Sequence, residues 1–121
     1  RKEVLAFDYK DGHLSNMRGC VSSAHIAASP DGMTIDAEGN LWIAFCHGGC
    51  VICFNPETGE QLRRIDFPCL ETTACTFGGP GLEDLYVTTG VHASVVEEHA
   101  GRLWVVRGLG VCGLPANAFA G

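Results

Sequence analysis

The sequence predicts an all-β protein that forms part of a β-propeller. Two observations lead to this fold class. Short apolar runs rich in β-branched and aromatic residues alternate along the chain with turns of Gly, Pro, Asn and Asp. The runs also repeat with a period of roughly 40–50 residues and four short strands in each period, which is typical of propeller blades. Only "ASVVEEHA" at 93–100 suggests a helical turn, and it fits a loop as easily.

The predicted strands and turns follow one another in a regular order. The strands are "EVLAFDY" (3–9), "MTID" (33–36), "NLWIAFC" (40–46), "CVICFN" (50–55), "QLRRIDF" (61–67), "ACTFGG" (74–79), "DLYVTTG" (84–90) and "RLWVVRG" (102–108). The turns between them are "KDGH" (10–13), "SPDG" (29–32), "DAEGN" (36–40), "NPETGE" (55–60) and "GGPGLED" (78–84). Such spacing predicts antiparallel strands joined by tight connections.

The repeat is clearest between residues 4–14, "VLAFDYKDGHL", and residues 51–62, "VICFNPETGEQL". In both segments an apolar run ends in Phe and leads into a polar turn that contains Gly. Likewise, "GNLWIA" at 39–44 resembles "EDLYVT" at 83–88. These matches indicate that the same strand of successive blades recurs along the chain.

The repeats divide the chain into the end of one blade (1–28), a full blade (29–70) and a last blade (71–121). Closed propellers have about four to eight blades, so two and a half blades cannot close into a ring. An open stack would leave sheet edges and apolar faces exposed. We therefore expect the remaining blades to lie upstream in a longer protein, and assembly with further copies is the alternative.

Composition excludes several function classes. The net charge of -6 argues against a nucleic-acid partner, because no basic stripe is available to neutralise phosphates. No apolar run reaches the roughly 18 residues of a membrane span. The seven cysteines form no regular disulfide framework, so we expect reduced, mostly buried thiols in a cytoplasmic protein. The sequence has neither H-x-x-x-H spacing nor a G-x-S-x-G motif.

The stretch "FCHGGCVICF" at 45–54 has the appearance of a metal site. The spacing C-x3-C-x2-C, formed by Cys46, Cys50 and Cys53, resembles the iron–sulfur motif of radical S-adenosylmethionine enzymes. Together with His47, these thiols also include the ligand types of a zinc site. The blade pattern instead predicts a hairpin with its turn at 47–49. Cys50 and Cys53 would then face opposite sides of one strand, so a single ion could not collect all three thiols. A disulfide between Cys46 and Cys50 remains open.

Asp31 is the candidate site residue. Locally, "SPDG" predicts a turn in which the Asp side chain bonds to nearby backbone and Gly32 accepts positive φ. Asp31 also precedes the first strand of a blade, and that strand lines the channel of a propeller. A carboxylate at that position suits a hard cation such as Ca²⁺. By contrast, "DAEGN" at 36–40 lacks the ligand spacing of an EF-hand, which favours a hairpin turn.

Three long segments resemble the C-terminal part of the SMP-30/gluconolactonase/luciferin-regenerating family. They are "SPDGMTIDAEGNLWIAFCHGGCVICFNPETGEQLRRIDFP", "TTACTFGGPGLEDLYVTTG" and "GRLWVVRGLGVCGLPANAFAG", and the match weakens at 19–28 and 91–100. The resemblance implies a six-bladed β-propeller and a metal-dependent lactonase acting on a sugar lactone such as gluconolactone. One member of the family is described as a calcium-binding protein.

The resemblance places a metal ligand at Asp31, where the carboxylate could act as ligand, general base or both. The remaining ligands, a Glu and Asn residues, would lie upstream of residue 1. The ion could be Ca²⁺, Mg²⁺, Mn²⁺ or Zn²⁺. Two alternatives to the enzyme stay open: a calcium-binding protein whose role does not depend on turnover, and an inactive fragment or truncated isoform.

Overall fold

Nine β-strands form three antiparallel sheets in the computed structural model, which describes residues 2–118. The first sheet pairs β1 (Glu3–Lys10) with β2 (His13–Ser22). The middle sheet has the order β3 (Ser29–Ile35), β4 (Leu41–Cys46), β5 (Cys50–Phe54) and β6 (Gln61–Asp66). The third contains β7 (Thr72–Gly78), β8 (Asp84–Thr89) and β9 (Leu103–Val106). The predicted all-β partial propeller is confirmed.

The two central strands of the middle sheet, β4 and β5, are buried on both faces. Successive side chains of a strand point to opposite faces, so β4 sends Ile43 and Phe45 towards the first sheet and Trp42 and Ala44 towards the third. Every residue of β5 is buried for the same reason. The unbroken apolar run "CVICF" is therefore the pattern of a strand covered on both sides.

Two separate apolar clusters hold the three sheets together. One joins Val4 and Val21 of the first sheet to β4 and β5, and the other joins those strands to Leu85 and Val87 of β8. The first sheet is less well covered than the middle one, and four of its large apolar side chains are exposed: Phe7, Tyr9, Leu14 and Met17.

The turn predicted at "SPDG" is wrong. Asp31 and Gly32 lie inside β3, at a bulge where the pairing with β4 skips from Pro30 to Met33. Gly32 does not adopt positive φ. It is required instead by close approach, because a Cβ at this position would lie 2.6 Å from the Cβ of Ala74 in β7.

The structure also bears on the predictions for the turn at Gly59 and for residues 93–100. Gly59 has a φ of 74°, as expected for its turn. Residues 93–100 form turns and irregular structure, and no α-helix occurs between residues 2 and 118. No helix of this part of the chain is long and apolar enough to cross a membrane. The last predicted blade extends to residue 121, and its final three positions lie outside the described residues.

Candidate functional site

One end of the middle and third sheets gathers the polar groups that could carry chemistry. Ser29 at the start of β3 pairs with Cys46 at the end of β4. Thr72 at the start of β7 pairs with Thr89 at the end of β8. Because β3 packs against β7, the start of each of these strands and the turn after β4 meet at this end.

Asp31 lies at this end with an exposed carboxylate. Among residues 2–118 the carboxylate of Asp31 has no hydrogen-bonding or ion-pair partner. Its negative charge contributes to raising the pKa of the Cys46 thiol, although less than Glu71 does, so the two side chains lie near each other. An unpaired, exposed carboxylate can supply oxygen to a hard divalent ion. The role of Asp31 as a ligand or a base remains a prediction.

Glu71 is a residue of this end that sequence reasoning missed. It is only 6% exposed, and its carboxylate accepts three hydrogen bonds from the β4–β5 turn. The thiol of Cys46 donates at 2.7 Å, the backbone N–H of His47 at 3.1 Å and the Nδ1 of His47 at 2.6 Å. The Nε2 of His92 lies 3.8 Å from the same carboxylate. Glu71 therefore collects a thiol and two imidazoles from separate segments.

These contacts shift the pKa values of Glu71 and Cys46 in opposite directions. The bond from Cys46 is the largest cause that lowers the pKa of Glu71, and the bonds from His47 add to it. Conversely, the bond to Glu71, followed by burial, raises the pKa of Cys46 to about 11. The thiolate is the nucleophilic form of cysteine, so Cys46 is not an activated nucleophile at neutral pH.

Backbone contacts bring the turn and Glu71 together. The N–H of Gly49 donates to the carbonyl of Leu70 at 2.8 Å, and the N–H of Phe67 donates to the carbonyl of Gly49 at 2.8 Å. Gly49 has a φ of 56°, and a Cβ there would lie 2.7 Å from the carbonyl oxygen of Cys69. Only glycine permits this approach, which places Glu71 beside the turn.

A second backbone contact brings His92 to the same carboxylate. The N–H of Gly90 donates to the backbone carbonyl of Glu71 at 2.8 Å. The ring of His92 then contacts that of His47 edge to face, with 5.6 Å between the ring centroids. His47 itself has a φ of 64°, a left-handed conformation that is uncommon outside glycine.

The three cysteines of "FCHGGCVICF" do not form a cluster. Cys50 packs towards the first sheet and Cys53 towards the third, which confirms that they face opposite sides of β5. All seven cysteines of the chain have free thiols, so the disulfide between Cys46 and Cys50 is not formed. Cys46 and His47 were candidates in the sequence, but their partner is Glu71 and not the other two thiols.

Asp36 confirms the hairpin turn predicted at "DAEGN". Its buried Oδ1 accepts the backbone N–H groups of Glu38 at 3.0 Å and Asn40 at 2.8 Å. Its Oδ2 accepts the indole Nε1–H of Trp42 at 2.8 Å and a longer bond from the Nδ2 of Asn40 at 3.4 Å. The carboxylate is thus occupied by donors of its own hairpin and has a structural role.

The fold and this polar end define a class: a partial β-propeller with carboxylate, thiol and imidazole side chains gathered where strands of neighbouring sheets meet. The chain belongs to the family described as the SMP-30/Gluconolactonase/LRE-like region, whose sequence profile matches residues 1–91. The predicted resemblance is confirmed.

Relatives extend the match over almost the whole chain. Regucalcin of Xenopus laevis is 40% identical over 124 residues, which cover 98% of this chain and 42% of that protein. A solved structure of a luciferin-regenerating enzyme is 33% identical, with a TM-score of 0.82 over 93% of this chain and 40% of the other. A calcium-binding protein, regucalcin, from Agrobacterium tumefaciens is 23% identical with a TM-score of 0.83, a likeness of fold. The chain thus spans less than half the length of these relatives.

Proposed function

We propose that this chain forms part of a divalent-metal-dependent hydrolase of sugar lactones, and that Asp31 contributes to its metal site. The observation that carries the proposal is the position of Asp31. Its carboxylate is exposed and free of protein partners on the first strand of the middle sheet, at the end where β3 approaches β7. The family to which the chain belongs is the second support.

The donor chemistry fits a hard divalent ion. Carboxylate oxygen is a preferred ligand of Ca²⁺ and Mg²⁺, and it also binds Mn²⁺ and Zn²⁺. Asp31 alone cannot complete the coordination shell of such an ion, so the remaining ligands would come from blades upstream of this segment. The exposed apolar side chains of the first sheet support such neighbours, because a further sheet packed there would bury them.

In the proposed mechanism Asp31 has two tasks at the lactone. Its carboxylate would hold the ion, which when bound supplies Lewis acidity towards the lactone carbonyl. Its oxygen would also accept a proton from the attacking water, because a carboxylate within hydrogen-bonding reach is a competent general base. Ring opening would then release the sugar acid. A gluconolactone-type substrate is the one that the family name suggests.

A chimera tests this proposal without any assumption about the natural neighbours of the chain. The chain would replace the matching 42% of Xenopus laevis regucalcin, and lactone hydrolysis would be followed with added Ca²⁺, Mg²⁺, Mn²⁺ or Zn²⁺. We expect metal-dependent turnover that Asp31→Asn lowers by about 10²-fold or more, as for loss of a catalytic proton acceptor.

The matched control is Asp11→Asn, in the exposed β1–β2 turn, which should leave turnover unchanged. Normal turnover in the Asp31→Asn chimera would refute the assignment of Asp31. An active chimera beside an inactive 121-residue chain would support dependence on further blades. Metal-dependent turnover by the chain alone would refute that dependence.

A second candidate function is calcium binding without turnover. The Agrobacterium neighbour is a calcium-binding protein, which suggests this alternative, although that likeness supports the fold alone. Calcium binding by a chimera that hydrolyses no lactone would favour this alternative over the enzyme. We also propose a cytoplasmic location, because seven free thiols persist best in a reducing compartment. Fractionation of cells with an antibody to the chain would test it.

A further inference from the structure

Cys46, His47 and Glu71 offer a set of metal ligands separate from the carboxylate of Asp31. One ligand atom from each, a sulfur, a ring nitrogen and a carboxylate oxygen, all lie within 4.8 Å of one another. We propose that these three side chains form a binding site for Zn²⁺ or a similar borderline metal ion, with His92 as the fourth ligand. The proposal does not depend on lactone hydrolysis.

The donor set selects the class of ion. Zn²⁺ is bound by Cys sulfur, His nitrogen and carboxylate oxygen, whereas Ca²⁺ and Mg²⁺ take oxygen ligands almost alone. Asp31 suits a hard ion and the thiol cluster suits a borderline one. The two sets therefore differ in the metal they prefer, although they lie at the same end of the sheets.

The distances suit a tetrahedral ion after a small expansion. Zinc bonds of about 2.0–2.3 Å place tetrahedral ligand atoms about 3.5 Å apart. The Nε2 of His92 already lies 3.8 Å from the Oε1 of Glu71. The contacts of Glu71 with Cys46 at 2.7 Å and His47 at 2.6 Å are shorter because a proton now joins each pair. An ion bound between them would increase each of these two separations by about 1 Å.

The negative charge of the buried Glu71 carboxylate favours binding of a cation by the cluster. Glu71 is buried, and within residues 2–118 its ion-pair partners are His47 and His92, with no Lys or Arg among them. A buried carboxylate is costly unless a positive group compensates it. When Zn²⁺ binds, the S–H bond of Cys46 breaks, the sulfur–zinc bond forms, and the thiol proton passes to solvent. The Nδ1 of His47 likewise loses its proton to solvent as the nitrogen–zinc bond forms, and the neutral ring keeps its proton on Nε2.

The conformation of the turn positions two of the ligands. His47 adopts a φ of 64° directly after Cys46, which turns the chain within one residue of the thiol. Gly49 packs closely against the backbone of Cys69, which holds the turn beside the segment that leads into β7. The turn therefore presents two ligands from adjacent residues to Glu71, which directly precedes β7.

The test is a titration of the full chain with Co²⁺ and with Zn²⁺. Cobalt bound to a thiolate gives a sulfur-to-metal charge-transfer band, which reports Cys46 directly. Calorimetry with Zn²⁺ gives stoichiometry and affinity. We expect one equivalent of metal, the charge-transfer band, and at least about a 10-fold loss of Zn²⁺ affinity in Cys46→Ser, His47→Asn and Glu71→Gln.

The variants are chosen to preserve the fold. Asn tolerates the left-handed conformation at position 47, and the other two changes are nearly isosteric. The control variants Cys20→Ser and His13→Asn change a thiol and an imidazole outside the cluster, and they should bind as the parent does. Circular dichroism would establish that each variant is folded.

Three outcomes would overturn the proposal: no charge-transfer band with Co²⁺, unchanged Zn²⁺ affinity in Glu71→Gln, or equal losses in the control variants. Asp31→Asn separates this site from the one in the proposed hydrolase. Retention of the band and of Zn²⁺ affinity in that variant would support two ligand sets. Loss of both would show that Asp31 belongs to the same site and would refute the separation.

Discussion

The contact between Asp36 and Trp42 allows a quantitative test of how the middle sheet is held. Asp36 is 1% exposed and its carboxylate accepts four hydrogen bonds, one of which comes from the buried indole Nε1–H of Trp42 at 2.8 Å. Asp36→Asn keeps the size of the side chain but replaces one acceptor with an NH₂ donor. Whichever way the amide turns, at least one N–H group that the carboxylate accepts then faces the new NH₂ donor.

The expected loss follows from these contacts. A hydrogen bond to a charged acceptor contributes about 1.5–3 kcal/mol, and a buried donor left without a partner costs about 1–3 kcal/mol. We expect Asp36→Asn to lower the free energy of unfolding by about 2–3 kcal/mol. Asp36→Ala, which removes the acceptor of all four hydrogen bonds, should lower the free energy of unfolding by about 3–5 kcal/mol.

Urea unfolding followed by far-ultraviolet circular dichroism measures the change, and the slope with urea should stay constant. Trp42→Phe provides the second arm of a double-mutant cycle because it removes the indole donor. In that background the cost of Asp36→Asn should fall by at least about 1 kcal/mol. Asp11→Asn in the exposed turn should change stability by less than about 0.5 kcal/mol. A loss of less than about 0.5 kcal/mol in Asp36→Asn would refute the reasoning, and so would an absence of coupling to Trp42.

Two further predictions concern the site end of the sheets. Gly32→Ala would put a Cβ 2.6 Å from the Cβ of Ala74 and 2.8 Å from backbone atoms of Thr73 and Ala74, so we expect a loss of about 1–3 kcal/mol in urea unfolding. A loss below about 0.5 kcal/mol would contradict the close packing of β3 on β7. The pKa of Glu71 is lowered from 4.5, so its contribution to stability is present above about pH 4.5 and is lost as the pH falls through the lowered folded-state value. In chelator-treated protein, Glu71→Gln should flatten the pH dependence of the urea midpoint in that acid range, and an unchanged dependence would argue against the contacts of Glu71.

The strands were predictable because their signals are local. The apolar run of β5 indicates a strand buried on both faces, and alternation alone places Cys50 and Cys53 on opposite sides. The hairpin at Asp36 and the positive φ of Gly59 follow from turn chemistry within a few residues. At Asp31 the same local rules failed, because "SPDG" was interpreted as a turn and the structure extends β3 through it.

The sequence by itself predicted most of the strands, the repeats and the family, and it offered Asp31 as a candidate site residue. Only the tertiary structure revealed the role of Gly32, which depends on the approach of Ala74 in another sheet. Tertiary structure also decided which residue meets Cys46 and His47. Glu71 lies 24 residues from His47 in the sequence, and no local pattern marks it. It reaches the turn because Gly49 bonds to the backbone at 67–70, and a contact made by the packing of two sheets leaves no periodic trace in the chain.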